Sequence, residues 1–287
     1  MNRKNMGRLL TAALMMGMTL FTLQACGNLN VKNNDEKYAP YTDATVIGSI
    51  KYELTTHYSS MASCQTGLGT LVADTMVWKT NADFAVVNAG TVRFNPPDPA
   101  GDNLHAGLIT KGDVAKFLPY DNLSGIAPAT NPATIVTVSL SGAVIKEMLE
   151  NSFSRMQPDG TPGASYGRFL QVSGQLQVFA DVTKPVGSRI TAVNFKTFNP
   201  DTTTPIDLAD TTKLYRMAVL KKYIKNAPGF ADYDKYWDIL AKGSNVVDTN
   251  IYLYDAMVEV FLKFSPLASG DPSNCSDPNL NLVITHQ

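Results

Sequence analysis

The 287-residue sequence is poor in cysteine and histidine, with three of each, and it carries almost no net charge. Its 24 basic and 25 acidic residues leave −1 at neutral pH, so there is no basic field of the kind that holds nucleic acid. Cys26, Cys64 and Cys275 lie too far apart in sequence to form a metal site by spacing. His57, His105 and His286 are just as scattered. The longest apolar run, Leu9 to Leu23, is too short and wrongly flanked for a stable membrane span. No internal repeat is detectable. What is present is 44% hydrophobic residues, enough for a sizeable core.

The start of the chain reads as a targeting segment. Arg3, Lys4 and Arg8 precede the apolar run, which closes on Leu23-Gln24-Ala25-Cys26-Gly27. Small residues before a cysteine resemble a bacterial lipobox, which implies removal of residues 1–25 and lipidation of Cys26. The alternative is an ordinary secretory signal with an incidental cysteine. Acyl chains on Cys26 anchor a protein to a membrane without a spanning helix. This places the chain in the bacterial cell envelope, facing the periplasm or the exterior. Gly27 stands where an aspartate would hint at inner-membrane retention. Residues 26–45 are polar and read as a tether. Residues 46–287 are then left as the folded domain. Outside the cytoplasm, Cys64 and Cys275 form a disulfide or remain two buried thiols, and the bridge is the preferred expectation.

Ala82–Arg93 is the stretch that organises the domain. Phe84 to Val87 predicts a strand buried on both faces. Asn88, Ala89 and Gly90 end it abruptly, and Arg93 follows. Strand ends of this kind bring polar groups to ligands in α/β proteins. Asn88 offers a donor and an acceptor, and Arg93 a planar fork for phosphate or carboxylate. An ordinary loop exit with a surface arginine is the competing explanation.

Elsewhere the pattern predicts a strand over Val46–Leu54, a polar loop over Tyr58–Gln65 and an amphipathic helix over Leu68–Lys79. Thr110 with Asp113 predicts a capping box and a short helix that stops at Leu118. Thr134–Leu140 alternates as a strand, and Ser141 caps a helix over Ala143–Ser152. Phe169–Ala180 and Ile190–Phe195 read as paired strands, Asn199–Thr212 as a loop, Tyr215–Leu220 as a strand and Tyr252–Phe264 as a helix. Strands and helices interleave without strict alternation, which predicts a mixed α/β or α+β domain with layered mixed sheets covered by helices. Gly163-Ala164-Ser165-Tyr166-Gly167 matches the nucleophile-elbow pattern. It follows a Gly/Pro-rich loop and precedes a strand, so it is a chance match.

The order of motifs is specific. Val87–Arg93 (VNAGTVR), Gly112–Asn122 (GDVAKFLPYDN), Ser139–Ser152 (SLSGAVIKEMLENS), Gly167–Gly174 (GRFLQVSG) and Tyr215–Leu220 (YRMAVL) resemble the C-terminal domain of 5′-nucleotidases. The family's forms are N-x-G-x-I-R, G-D-v-x-x-x-x-P-F-x-N, l-x-G-x-x-l-x-x-x-L-E, G-x-F-L-Q-v-S-G and Y-x-v-a. The helix LGTLVADTM likewise resembles the family's LGNLIADAM. The resemblance runs over roughly residues 46–266.

The resemblance implies recognition of a nucleotide or nucleoside in nucleotide catabolism or salvage. In that family a separate metallophosphoesterase domain holds two metals and hydrolyses the substrate. Its histidine-rich motifs are missing from this sequence, so it carries no catalytic or metal site and no cofactor, and a separate metallophosphoesterase chain is the expected partner. By resemblance, Asn88 and Arg93 face phosphate or ribose, Tyr120 stacks on the base and Asn122 reads its edge. Three departures stand out. The family's arginine-bearing segment ahead of the first helix is Met61-Ala62-Ser63-Cys64-Gln65 here. The ribose-binding aspartate is replaced by Pro228 and the second stacking aromatic by Lys222. Tyr223 takes the aromatic's place only if its loop shifts. The alternatives are a stand-alone nucleotide-binding lipoprotein and a degenerate structural or interaction protein of the envelope.

Overall fold

The most apolar stretch of the chain becomes the centre of the core. The computed structural model describes residues 43–92, 103–118, 134–163, 166–198, 200–221, 242–268 and 282–286, all within one unit, Tyr38–Gln287. The chain opens with β1 (Val46–Ile50), β2 (Leu54–Thr55), the single-turn helix α1 (Tyr58–Met61) and α2 (Gly67–Thr80). Next come β3 (Phe84–Asn88), β4 (Asn103–Leu104), β5 (Gly107–Thr110), α3 (Lys111–Phe117), β6 (Thr134–Ser141) and α4 (Gly142–Phe153). The second half holds β7 (Leu170–Val172), β8 (Leu176–Asp181), β9 (Ile190–Phe198), β10 (Asp201–Pro205), β11 (Leu214–Leu220), β12 (Ser244–Tyr252), α5 (Leu253–Phe264) and β13 (Leu282–Thr285).

A five-stranded sheet runs in the order β12-β6-β11-β3-β7, and a four-stranded sheet in the order β10-β9-β8-β13. β11 is parallel to β3 and β13 to β8, while the remaining pairs are antiparallel. Two small antiparallel pairs, β1-β5 and β2-β4, complete the sheets of the described residues. The fold is therefore α+β with mixed sheets, as the interleaved pattern predicted. Every residue of β3 is buried, as expected of a central strand covered on both faces. Among the described residues, no helix is long and apolar enough to cross a membrane.

The capping signals hold at atomic detail. Thr110 Oγ1 accepts from the Asp113 N–H at 3.1 Å, and Asp113 Oδ2 accepts from the Thr110 N–H at 3.0 Å. Ser141 Oγ accepts from the Val144 N–H at the start of α4. Gly142 is required there, because a Cβ on it would lie 1.9 Å from the Asp207 carbonyl oxygen.

Five expectations are corrected. The loop expected over Tyr58–Gln65 opens with the single-turn helix α1. The helix expected over Leu68–Lys79 forms as α2, but it is not amphipathic: Leu68, Leu71, Val72, Ala73, Thr75 and Met76 bury it on several sides. Helices wedged between other elements lose the polar face that a periodicity reading assumes. Val46–Leu54 is interrupted, since β1 and β2 join different partners. Phe169–Ala180 is two strands, because the chain leaves the five-stranded sheet at Ser173-Gly174 and enters the four-stranded one at Leu176. Ser173 closes the first ladder with its side chain, whose Oγ accepts from the Ala85 N–H at 3.0 Å. The loop expected over Asn199–Thr212 contains β10, and β12 was not foreseen at all. Both are edge strands with exposed polar residues, and such strands lack the alternation that marks a buried face. Asn245 and Asn250 in β12 have φ of 52° and 54°, where the ladder is irregular.

Candidate functional site

One edge of the five-stranded sheet gathers the relevant segments. β3 ends there at Asn88, and β11, parallel to it, ends at Leu220. β6 runs antiparallel to β11 with Leu220 opposite Ile135, so β6 enters the sheet at this edge. β7 is antiparallel to β3 with Leu170 opposite Asn88, so it enters there too. β12 leaves at the same edge, with Tyr252 opposite Thr134. The register thus brings the ends of β3, β11 and β12 beside the beginnings of β6 and β7. This matches the rule that ligands meet open sheets beyond the carboxyl ends of parallel strands.

Asn88 is 1% exposed and its amide is engaged at both ends. Nδ2 donates to the Gly167 carbonyl at 2.9 Å, and Oδ1 accepts from Thr91 Oγ1 at 2.5 Å. The side chain ties the end of β3 to the segment before β7. Arg93, Tyr120, Asn122 and Tyr223 lie outside the described residues, as do Cys26, Cys275, Lys222 and Pro228. Val92 precedes Arg93 just beyond Asn88, Leu118 precedes Tyr120, Thr134 follows the segment holding Asn122, and Lys221 precedes Tyr223. Lys221 itself pairs with Asp248 of β12. Cys64 is disulfide-bonded.

Two buried glutamines hold the layer beneath this edge, and sequence reasoning passed over both. Gln171 Oε1 accepts from the Thr66 N–H at 2.8 Å, while its Nε2 donates to the Met61 and Cys64 carbonyls at 2.7 and 2.6 Å. Gln65 pairs with Val172 as a strand would: Oε1 accepts from the Val172 N–H and Nε2 donates to its carbonyl, each at 3.0 Å. The available signal was the glutamine of the GRFLQVSG motif, a polar residue inside an apolar strand. A residue of that kind is buried only when both ends of its amide find partners.

Asp74 of α2 lies toward the opposite end of β7, beside Gly174, and its carboxyl is strongly raised. Burial raises its carboxyl from 3.8 to about 6, against the Gly174 N–H, which donates to Oδ1 at 2.7 Å and lowers it. The folded state therefore holds the proton more tightly than the unfolded chain. Asp74 contributes most stability below pH 3.8, and that contribution is lost as pH rises through about 6. Asp74→Asn keeps an acceptor for Gly174 and removes the titration. Thermal midpoints measured between those two pH values should fall less with rising pH in the variant, by up to about 2–3 kcal/mol in stability. An unchanged slope would discard this role.

A crevice lined by Ala62, Ser152, Arg155, Gly163, Arg168 and Phe169, among others, lies beside the same edge. It has about 10 Å³ of room, enough for one water-sized atom and not for a nucleotide. The Gly163–Gly167 match to a nucleophile elbow falls between α4 and β7, so no strand leads into it. Gly163 is close-packed, since a Cβ there would lie 1.9 Å from the Arg155 carbonyl oxygen. Among the described residues, no three His, Cys, Asp or Glu side chains are grouped to hold a metal.

A sequence profile described as 5′-nucleotidase, C-terminal domain, matches residues 45–231, more than half of the chain. The chain belongs to this family. Among solved structures, a 5′-nucleotidase precursor from Thermus thermophilus shares the fold with a TM-score of 0.61 at 24% identity, over 85% of this chain and 40% of that one. The Haemophilus influenzae NAD nucleotidase gives a TM-score of 0.61 at 19% identity, over 84% of this chain and 38% of its own. The chain therefore matches about two fifths of the length of these 5′-nucleotidase-family structures. No curated protein sequence matches it. The C-terminal glutamate of SLSGAVIKEMLE, Glu150, accepts from the Arg189 and Ile190 N–H groups at 3.0 and 2.7 Å and so grips the start of β9. The GRFLQVSG motif supplies Gln171 and Ser173.

Proposed function

We propose that this family member is the recognition half of a nucleotidase. It takes a nucleotide or nucleoside at the edge where β3 and β11 end and works with a separate metallophosphoesterase chain. A lipid on Cys26 holds it at the envelope membrane. The observation that supports this reading most is the register. In the chain Arg93 follows the end of β3, Tyr223 follows the end of β11 and the segment holding Asn122 leads into β6, and these strand ends share the edge where Asn88 stands. An aromatic face at Tyr120 stacks on a base and an arginine fork at Arg93 takes phosphate.

Calorimetric titration of the purified protein with adenosine, AMP and UMP tests the reading. Saturable binding is expected, weakened about tenfold or more by Tyr120→Ala through loss of base stacking. No heat from folded protein with any of the three would overturn it. A second reading, a structural or interaction protein of the envelope, draws on the internal engagement of the Asn88 amide. It predicts that null result. Cell fractionation under inhibition of lipoprotein signal removal tests the anchor separately, since an uncleaved precursor should accumulate.

A further inference from the structure

Of the ten large apolar side chains left exposed among the described residues, five belong to one layer of the fold. Val46 opens β1, Tyr52 follows that strand, Leu108 lies in β5 beside Ser49, and Leu262 and Phe264 end α5. The chain beyond α5 closes on the same strand. The Leu267 N–H donates to the Ser49 carbonyl and the Lys51 N–H to the Leu267 carbonyl, each at 2.9 Å. Ser265 Oγ donates to the Ser49 carbonyl as well, at 3.1 Å. β5, β1 and the end of α5 therefore lie side by side. Leu108 is 72% exposed and Leu262 61%, so neither contributes much to the core. Apolar side chains grouped in this way mark a surface that meets a partner or a membrane.

The charges around these residues decide between the two. Trp78 of α2 is half-buried and meets Phe264 edge-on, with 5.3 Å between ring centroids. Lys79 and Lys263 each lie 5.1 Å from the Trp78 ring. Lys79 is paired with Glu259. Lys51 and Lys263 are exposed and form no ion pair among the described residues. Glu53, the acid beside Tyr52, is taken by Asn103 and His105. Leucines, aromatic rings and unpaired lysines together suit the headgroup zone of a bilayer. The leucines enter the acyl boundary, the rings sit at headgroup level and the lysines meet anionic phosphates. A protein interface is instead depleted of lysine.

β1 is also the strand that directly follows residues 26–45, so the stretch carrying Cys26 enters the folded domain in this layer. We infer that the face formed by β1, β5 and the end of α5 rests on an anionic bilayer, the one that holds the lipid on Cys26. For the membrane concerned, this rests on the anchor proposed above. An anchor keeps the face at high effective concentration beside the bilayer, so a weak contact is enough to settle the domain on it.

The experiment mixes protein from Gly27 onward, without leader or acyl group, with vesicles and measures bound protein by co-sedimentation. That chain keeps the whole unit Tyr38–Gln287 and its core. The vesicles are phosphatidylcholine alone, or phosphatidylcholine and phosphatidylglycerol in equal parts. Binding to the anionic vesicles and not to the neutral ones is expected, and high salt should abolish it. Lys51→Gln and Lys263→Gln should each lower the partition constant about fivefold, and Leu108→Ser and Leu262→Ser by a similar factor. Val246→Ser, a comparably exposed change on β12, should alter nothing. All five side chains are exposed, so each variant keeps the fold, and matching thermal midpoints check this. A wild type indifferent to both vesicles would overturn the proposal and leave the face to a protein partner. Equal losses in Val246→Ser and Leu262→Ser would overturn it too, since binding would then have no preferred face. The anchor is judged apart, by the fractionation described above. An uncleaved precursor without vesicle binding would overturn the face and not the anchor. Vesicle binding without that precursor would overturn the anchor and not the face.

Discussion

Gln171→Ala should lower stability by about 4 kcal/mol, and Gln171→Glu should be at least as harmful near neutral pH. The alanine variant leaves the Thr66 N–H and the Met61 and Cys64 carbonyls without their partner in a fully buried place. Each such orphan costs roughly 1–3 kcal/mol, and the emptied volume adds to it. The glutamate variant fills the same space, so packing alone predicts tolerance. It nevertheless turns a carboxylate oxygen toward two carbonyls that had been accepting N–H bonds. Protonation restores one donor, so Gln171→Glu should regain stability on acidification while Gln171→Ala does not. Thermal midpoints about 10 °C below wild type are expected for a unit of this size. A mild, pH-independent loss in Gln171→Glu would show that shape rather than hydrogen bonding matters at this site. Gly69 belongs to the same arrangement. A Cβ there would lie 2.1 Å from Gln171 Oε1, so Gly69→Ala should displace the glutamine and reproduce much of its loss.

Glu150→Ala is the second large effect, expected at about 3–5 kcal/mol. It strands the Arg189 and Ile190 N–H groups and leaves the Arg189 guanidinium, in a residue only 6% exposed, without its facing carboxylate. Arg189→Met removes the donors from the Phe153 and Met156 carbonyls and should cost about 2–3 kcal/mol. Because both residues clamp α4 to β9, the double variant should lose clearly less than the sum. Urea titrations of the four proteins close this cycle. Strict additivity would mean that the two side chains act separately and that the clamp does not exist.

Much of the molecule was legible in its sequence, for identifiable reasons. β3 reads directly because Phe84–Val87 has no polar residue to offer solvent. The Thr110–Asp113 capping box reads directly because its hydrogen bonds span three residues and need no tertiary context. The family motifs preserve spacing, and spacing survives at low identity. What could not be read was the role of single polar residues. The motif reading of Asn88 toward a ligand did not include the bonds that its amide makes to Gly167 and Thr91. Gln65, Gln171, Glu150 and Arg189 were given no role, because each has bonding partners 33 to 110 residues away in the chain. No local pattern encodes such distances.

By itself the sequence determined the α+β class, the family, the central buried strand, the helix caps and the absence of a hydrolytic metal motif. These depend on local apolar pattern, on short-range hydrogen bonds and on residue order. Tertiary structure alone decided that Phe169–Ala180 serves two sheets, that α2 is buried on several sides and that β12 closes the five-stranded sheet. It also decided which strand ends share an edge and which arginines share a crevice. Those outcomes follow from strand register and from the need to satisfy every buried polar group, and both are set by residues far apart in the chain.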